Sequence, residues 1–230
     1  MIDTARAQVF GPGYGFKGGT IYIAAADESG MMVSFIQSNY MGFGSGVVEP
    51  KFGVSLQNRG HGFSLDAKSP NVVAPGKRPF QTIIPAFLSR PKARPLLPPL
   101  GEGRDGGRAP PQPPEQKIEP VMSFGVMGGH MQPQGHVQCL VRMLDHGQNP
   151  QAACDAPRWR FNQGLEINVE RQMPAATLQA LQALGHQVVG LEDSYMDFGA
   201  GQFIWRIGDP AVDGYVAASD PRRDGAAVGF

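Results

Sequence analysis

Charge of one sign is missing from this chain. Its 230 residues carry 20 basic and 20 acidic side chains, a formal net charge of zero. That removes the electrostatic case for nucleic acid or an anionic membrane as partner. Cysteine is scarce as well. Cys139 and Cys154 are the only two, with no paired spacing, which excludes a disulfide framework or a zinc ribbon and suits a reducing compartment or two inert core thiols. No segment approaches the roughly 20 apolar residues of a membrane span. The opening Met1-Ile2-Asp3-Thr4-Ala5-Arg6 has no apolar core of a secretory signal, which favours a cytoplasmic location. The five histidines (61, 130, 136, 146 and 186) include no His-Glu-x-x-His spacing, so neither a metal nor another cofactor is expected. Gly11 to Gly15 fails as a dinucleotide loop because no strand precedes it and no helix follows, and no Walker sequence occurs.

Glycine (31) and proline (21) are abundant, and hydrophobic residues make up 41%. Together these describe one globular domain of short elements joined by tight turns. From Arg90 to Pro120 the chain is rich in proline and glycine and has no periodicity. Such a stretch buries too little apolar surface to offset its ordering entropy. It reads as a disordered insertion between strands at Phe80–Leu88 and Val121–Met127, with a polyproline docking segment as the functional alternative. Further strands are expected at Thr20–Ala26, Met32–Ser38, Gly53–Gln57, Gln187–Leu191, Gln202–Ile207 and Tyr215–Ala218. Val137, Leu140, Val141 and Leu144 form an amphipathic helical stripe ending at Gly147. Shorter helices are expected at Pro150–Ala156 and Pro174–Leu184, the latter stopped by Gly185. Strands, then helices, then strands again indicate a layered α+β domain rather than a βαβ repeat.

Four segments could carry chemistry. Gly18-Gly19-Thr20 precedes the first strand; a cut before Thr20 would give one residue both a hydroxyl nucleophile and the free α-amine to deprotonate it. Taken alone, a Gly-Gly-Thr before a strand is usually just a turn. The loop Met41-Gly42-Phe43-Gly44-Ser45-Gly46 lets backbone approach a ligand closely, or merely turn sharply. Phe124-Gly125-Val126-Met127-Gly128-Gly129-His130 runs from a strand into a helix, where free amides suit an oxyanion hole. His61 and His130, beside glycine-rich loops, are placed to touch a substrate. The closing run from Ala218 to Phe230 alternates carboxylates and arginines around Pro221, which suits a salt-bridged loop tying down the C-terminus.

In their order these pieces resemble the small subunit of the γ-glutamyltransferase (γ-glutamyltranspeptidase) family. The carrying residues are Gly19-Thr20, Phe43-Gly44-Ser45-Gly46, Gly53-Val54-Ser55-Leu56-Gln57-Asn58 and Pro75-Gly76-Lys77-Arg78-Pro79. After the insertion come Gly128-Gly129, Asp155-Ala156-Pro157-Arg158 and Ser219-Asp220-Pro221-Arg222. The resemblance implies the N-terminal nucleophile hydrolase fold, a four-layer αββα sandwich, of which residues 20–230 are the small-subunit half. Residues 1–19 would be the remnant of a large subunit or propeptide. It also implies a self-cleaving precursor and no cofactor. Thr20 takes the place of the nucleophile, Ser38 that of a threonine hydroxyl bonded to it, and Gly128 and Gly129 that of the oxyanion glycines. The expected substrate is a small-molecule γ-glutamyl or related amide, and the expected partner is the large subunit of the same precursor.

Departures from the family pattern shift the substrate. The positions that would hold the γ-glutamyl amino and carboxyl groups read Tyr40, Arg59, Gly62, Gln81 and Thr82. Gly62 removes the counter-charge for an α-ammonium, whose burial without a partner is costly. Arg59 instead favours an acyl group bearing a carboxylate, held through two hydrogen bonds. The pattern is closer to the acylase-like members, so a glutaryl or cephalosporin-type acylase stands beside the γ-glutamyl reading. With only nineteen residues before Thr20, a non-catalytic fragment or binding module lacking its large subunit is the alternative of a different class.

Overall fold

The computed structural model describes residues 19–92, 118–192 and 197–230. The elements begin with β1 (Thr20–Ala26), β2 (Met32–Ser38), β3 (Val48–Glu49), β4 (Val54–Ser55), β5 (Ala86–Pro91) and β6 (Ile118–Met127). They continue with α1 (Met131–Leu144), α2 (Pro150–Asp155), β7 (Trp159–Gln163), β8 (Glu166–Glu170), α3 (Ala175–Ala183), β9 (Gln187–Leu191), β10 (Ala200–Arg206) and β11 (Tyr215–Ser219). Among the described residues, no helix is long and apolar enough to cross a membrane.

Period-two alternation along β6 builds three layers. Met122, Phe124 and Val126 face one way and pack with Cys139 and Met143 of α1, Cys154 of α2 and Phe203 of β10. Each such buried side chain contributes roughly 1.5–3 kcal/mol. The intervening residues, Ser123, Gly125 and Met127, face the β1–β2 hairpin. There Tyr22 and Ile36, opposite one another in the hairpin, pack with Met127 and Ala200. Gly125 is required at this contact, because a Cβ there would come within 2.5 Å of the Tyr22 ring. The Tyr22 hydroxyl is not left unsatisfied: it lies 2.7 Å from Ser34 Oγ and 3.3 Å from Ser123 Oγ. The hairpin thus covers one face of the β11-β10-β6-β5 sheet and the helices cover the other.

The remaining unit is the sheet β7-β8-β9. Its β8 and β9 run parallel through a crossover by α3, whose Leu178 and Leu181 pack on Ile167 and Val169. Among the described residues the other paired strands run antiparallel. The β7–β8 hairpin lies in a region with no expected strand, although Trp159 to Glu170 alternates around Gly164, which has φ +52°.

Other expectations need correcting. Only Val54–Ser55 of the Gly53–Gln57 segment is strand, and Phe80–Leu88 becomes regular only from Ala86. The ends of the supposed insertion belong to the sheet. The β5–β6 ladder continues to Pro91 and Ile118, with Arg90 Nε 2.7 Å from Glu119. Pro120 lacks an amide, and the register shifts where it pairs, at Leu88/Ser89. The remainder of that insertion, and the segment before Gly19, lie outside the described residues. On α1 the apolar stripe is not the buried face. Val137 and Leu144 are 59% and 52% exposed, whereas Gly135, His136, Cys139 and Met143 face the sheet. Close approach decides this: a Cβ on Gly135 would stand 2.6 Å from Val126 Cγ1, so only the glycine side of the helix fits against β6.

Candidate active site

The site begins where β1 starts and β6 ends. Thr20 opens β1 opposite Ser38, the last residue of β2. Met127 closes β6, and Gly128 (φ +131°) and Gly129 (φ +58°) turn the chain into α1. The Gly128 and Gly129 carbonyls accept from the Met131 and Gln132 amides at 3.0 and 3.1 Å. The amides of Gly128 and Gly129 themselves meet no acceptor among the described residues. Thr20, Gly128 and Gly129 line one cavity of about 720 Å³. A hydroxyl and two free backbone donors on one wall are the parts that attack on a carbonyl requires.

One flank of the cavity comes from the loop after β2. Tyr40 has φ +78°, an unusual conformation for a residue with a side chain. Its amide donates to Ser38 Oγ at 2.9 Å, and its ring lies 5.5 Å from the Arg59 guanidinium. Asn58 ties down the following glycine-rich turn. Its Nδ2 donates to the carbonyls of Met41 and Gly44 at 3.1 and 3.0 Å, and its Oδ1 accepts from the Met41 amide at 3.0 Å. Gly44 must be glycine, because a Cβ there would collide with the Leu56 carbonyl. Arg59 is 5% exposed and donates to Thr82 Oγ1 at 2.7 Å and to the Ser38 carbonyl at 3.1 Å. No carboxylate pairs with it among the described residues; burial lowers its pKa, with Tyr40 opposing. The buried amide of Gln132 then binds this flank to α1, donating to the Thr82 carbonyl and accepting from the Ile84 amide at 3.1 Å.

The other flank is β7, the edge strand of its sheet. Gln134 and Gln138, one turn apart on α1, hydrogen-bond the backbones of Phe161 and Trp159 and so satisfy that open edge. Arg160 and Asn162 share the cavity side of β7. Arg160 Nη1 lies 2.7 Å from Asp197 Oδ1, and its Nε donates to Asn162 Oδ1 at 3.2 Å.

Behind both flanks lies a buried charge cluster. Arg158 Nη2 pairs with Asp220 at 2.6 Å, and Arg222 pairs with Glu170 at 2.5 Å and with Asp220 at 3.0 Å. Burial alone would depress the Arg222 pKa, but Glu170 and Asp220 outweigh it and raise it. Arg158 Nη1 also donates to the carbonyls of Phe198 and Gly199 at 3.0 and 3.1 Å. Gly199 abuts the site directly, because a Cβ on Gly128 would lie 2.7 Å from its Cα. The cluster therefore braces the turn against which Gly128 rests.

The structure brings together Thr20, Tyr40, Thr82, Gly128, Gly129 and His130 around the cavity. Ser38 stands beside Thr20 in the hairpin, with its hydroxyl engaged by the Tyr40 amide. Arg59 lies just behind Tyr40 and Thr82 rather than on the lining. Gln81 is exposed, accepts from the Thr82 amide at 3.0 Å and does not line the cavity. Gly62 closes a short 3-10 turn at Arg59–Gly62, and His61 stands beside the Tyr40 ring, 6.3 Å away, without lining the cavity. The sequence reading missed Arg160, Asn162 and Asp197. The alternation of β7 was a usable signal for the first two; nothing local announced Asp197. Both cysteines are buried and free, and burial raises both thiol pKa values.

The fold and site define a class: the similar solved structures are N-terminal nucleophile hydrolases with mixed sheets and helices. The chain belongs to the gamma-glutamyltranspeptidase family, whose profile matches residues 11–112 and 115–230. Oxamate amidohydrolase proenzyme of Klebsiella pneumoniae is 36% identical over 100% of this chain and 39% of its own length. The glutathione hydrolase-like YwrD proenzyme of Bacillus subtilis is 36% identical over 92% of this chain and 36% of its own. This chain therefore spans well under half the length of these relatives. The crystal structure of cephalosporin acylase from Bacillus halodurans aligns with TM-score 0.69 and 44% identity, covering 89% of this chain and 33% of that one. Gamma-glutamyltranspeptidase from Pseudomonas nitroreducens shares the fold at 21% identity and TM-score 0.66, covering 91% of this chain and 98% of that one.

Proposed function

We propose that this chain is the nucleophile-bearing part of an N-terminal threonine amidohydrolase. The observation that carries the reading is the sharing of one cavity by Thr20 and the free amides of Gly128 and Gly129. Cleavage of the Gly19–Thr20 bond frees the α-amine, which takes the proton from Thr20 Oγ as that oxygen attacks an amide carbonyl. Gly128 and Gly129 stabilise the oxyanion. The proton passes to the leaving amine, and the acyl-threonine ester is released by water or by an acceptor amine. Ser38 and the Tyr40 loop position the nucleophile strand.

The acyl group in this reading carries a carboxylate. Arg59 supports that, because it is buried with only neutral acceptors around it, Thr82 Oγ1 and the Ser38 carbonyl. A buried cation of this kind is completed by an anion. Oxamate, γ-glutamyl and glutaryl amides all supply one, and the name of the Klebsiella relative points to the smallest of them. A cephalosporin-type acylase is the second reading, favoured by Gly62 and by the 44% identity to the Bacillus halodurans acylase.

The partner is a large subunit of the same precursor. Ile21, Ile23, Val33 and Phe35 form the outer face of the β1–β2 hairpin and are 45–55% exposed. Covering that face with partner helices would complete a four-layer αββα sandwich. The test is co-expression with a large subunit, intact mass across the Gly19–Thr20 bond, and turnover of oxamyl, γ-glutamyl and glutaryl anilides. Turnover that survives Thr20→Ala overturns the mechanism. An intact bond and no turnover with a large subunit present would support a non-catalytic fragment.

A further inference from the structure

The charged residues that line the cavity, Arg160, Asp197 and Arg223, are left unused by that reaction. Arg160 lines the cavity from β7, and its guanidinium is held at two points, by Asp197 on Nη1 and by Asn162 on Nε. Asn162 is itself anchored, donating from Nδ2 to Glu166 at 3.1 Å and to Asn168 at 2.9 Å. The other N–H groups of Arg160 have no partner among the described residues. A planar cation fixed at Nε and Nη1, with its Nη2 donors unspent in the cavity that Thr20 also lines, is pre-organised for an anionic oxygen. The exposed ion pair at Arg171–Glu192 has no comparable frame.

Position on α1 separates this group from the Arg59 flank. Gln132 fastens the Thr82 segment and Gln134 fastens β7. Residues two apart on a helix are about 200° around its axis. The two walls therefore flank the Gly128–Gly129 junction from opposite sides. An amide whose carbonyl sits at those glycines extends its acyl half towards one wall and its amine half towards the other.

We infer that Arg160, set by Asp197 and Asn162, is a carboxylate-binding subsite for the amine half of the substrate, the leaving amine or the acceptor. This rests on the Thr20 reading. It favours amino-acid or short-peptide amines over plain ones, whereas the flank of Tyr40 and Thr82, backed by Arg59, faces the acyl half.

The experiment uses the preparation in which Thr20→Ala abolishes turnover. One acyl group is presented on aniline and on 4-aminobenzoate, and kcat/KM is compared for the unmodified protein, Arg160→Met and Arg160→Lys. The expected result is a preference for the carboxylated amine that falls at least tenfold in R160M and is partly kept in R160K. An unchanged ratio overturns the subsite. A second pair varies the acyl half, oxamyl against acetyl on plain aniline. Selective loss there instead assigns Arg160 to the acyl half and overturns the placement. Should R160M fail to accumulate, inhibition of the unmodified protein decides: 4-aminobenzoate should inhibit at least tenfold more strongly than aniline, and equal inhibition refutes the proposal. A reaction that persists in Thr20→Ala would sink the parent mechanism while leaving these ratios readable.

Discussion

Tyr40 and His136 show how single residues pay different local penalties for one site. Tyr40 holds φ +78° beside the nucleophile strand, a conformation that costs on the order of 1–3 kcal/mol for a residue with a side chain. The Ser38 hydroxyl, the Arg59 guanidinium and the Asn58 clamp hold it there. Tyr40→Gly should relieve that strain while removing the ring from the cavity. The expected outcome is turnover lowered tenfold or more with the denaturant midpoint little changed. His136 accepts the Val126 amide on Nε2 at 2.8 Å, inside the contact between β6 and α1. Burial, helped by Arg158, pushes its pKa down to about 4 from the ordinary 6.5. The folded chain then binds fewer protons than the unfolded chain between those values. Stability is full above pH 6.5 and is lost as pH falls towards 4, by roughly 3 kcal/mol at 1.36 kcal/mol per pKa unit. Urea midpoints at pH 7 and pH 4.5 should show this slope, and His136→Gln should flatten it.

Among the elements, the β1–β2 hairpin matters because it delivers Thr20 to the end of β6. Its seating depends on the flat spot at Gly125, so Gly125→Ala drives a Cβ into the Tyr22 ring. Overpacking of that kind costs about 1–3 kcal/mol. Both the denaturant midpoint and turnover should fall, because Thr20 moves with the hairpin. The Asn58 clamp acts on the neighbouring loop; Asn58→Ala leaves three backbone groups to find other partners. Turnover should fall more than stability, as measured by kcat/KM beside thermal melting. Most of these elements were legible in the sequence: the hairpin, the β6–α1 junction, α2 and the C-terminal strands follow from alternation and punctuation. The β7–β8 hairpin was not read, although its alternation is present around Gly164. The buried side of α1 was misread because hydrophobicity pointed to Val137 and Leu144, while steric fit against Val126 selects Gly135.

At the scale of the molecule, the Arg158–Asp220–Arg222–Glu170 cluster joins α2, β8, the Phe198–Gly199 turn and the C-terminal loop. Asp220→Ala would leave two buried guanidinium groups short of a counter-charge, a change that costs about 3–5 kcal/mol. Chemical denaturation should register the loss, and kcat should fall with it because Gly199 supports Gly128. The sequence alone determined the neutral charge balance, most of the strand and helix order, the glycine turns and Thr20 as candidate nucleophile. All of these depend on residue identity and short-range spacing. Only the tertiary structure decided that Arg59 sits behind the cavity, that Arg160 lines it with Asp197, and that Arg222 is buried. The hydrogen bonds that make those placements join positions 21 to 68 residues apart, and such pairings are set by how the layers pack rather than by any local pattern.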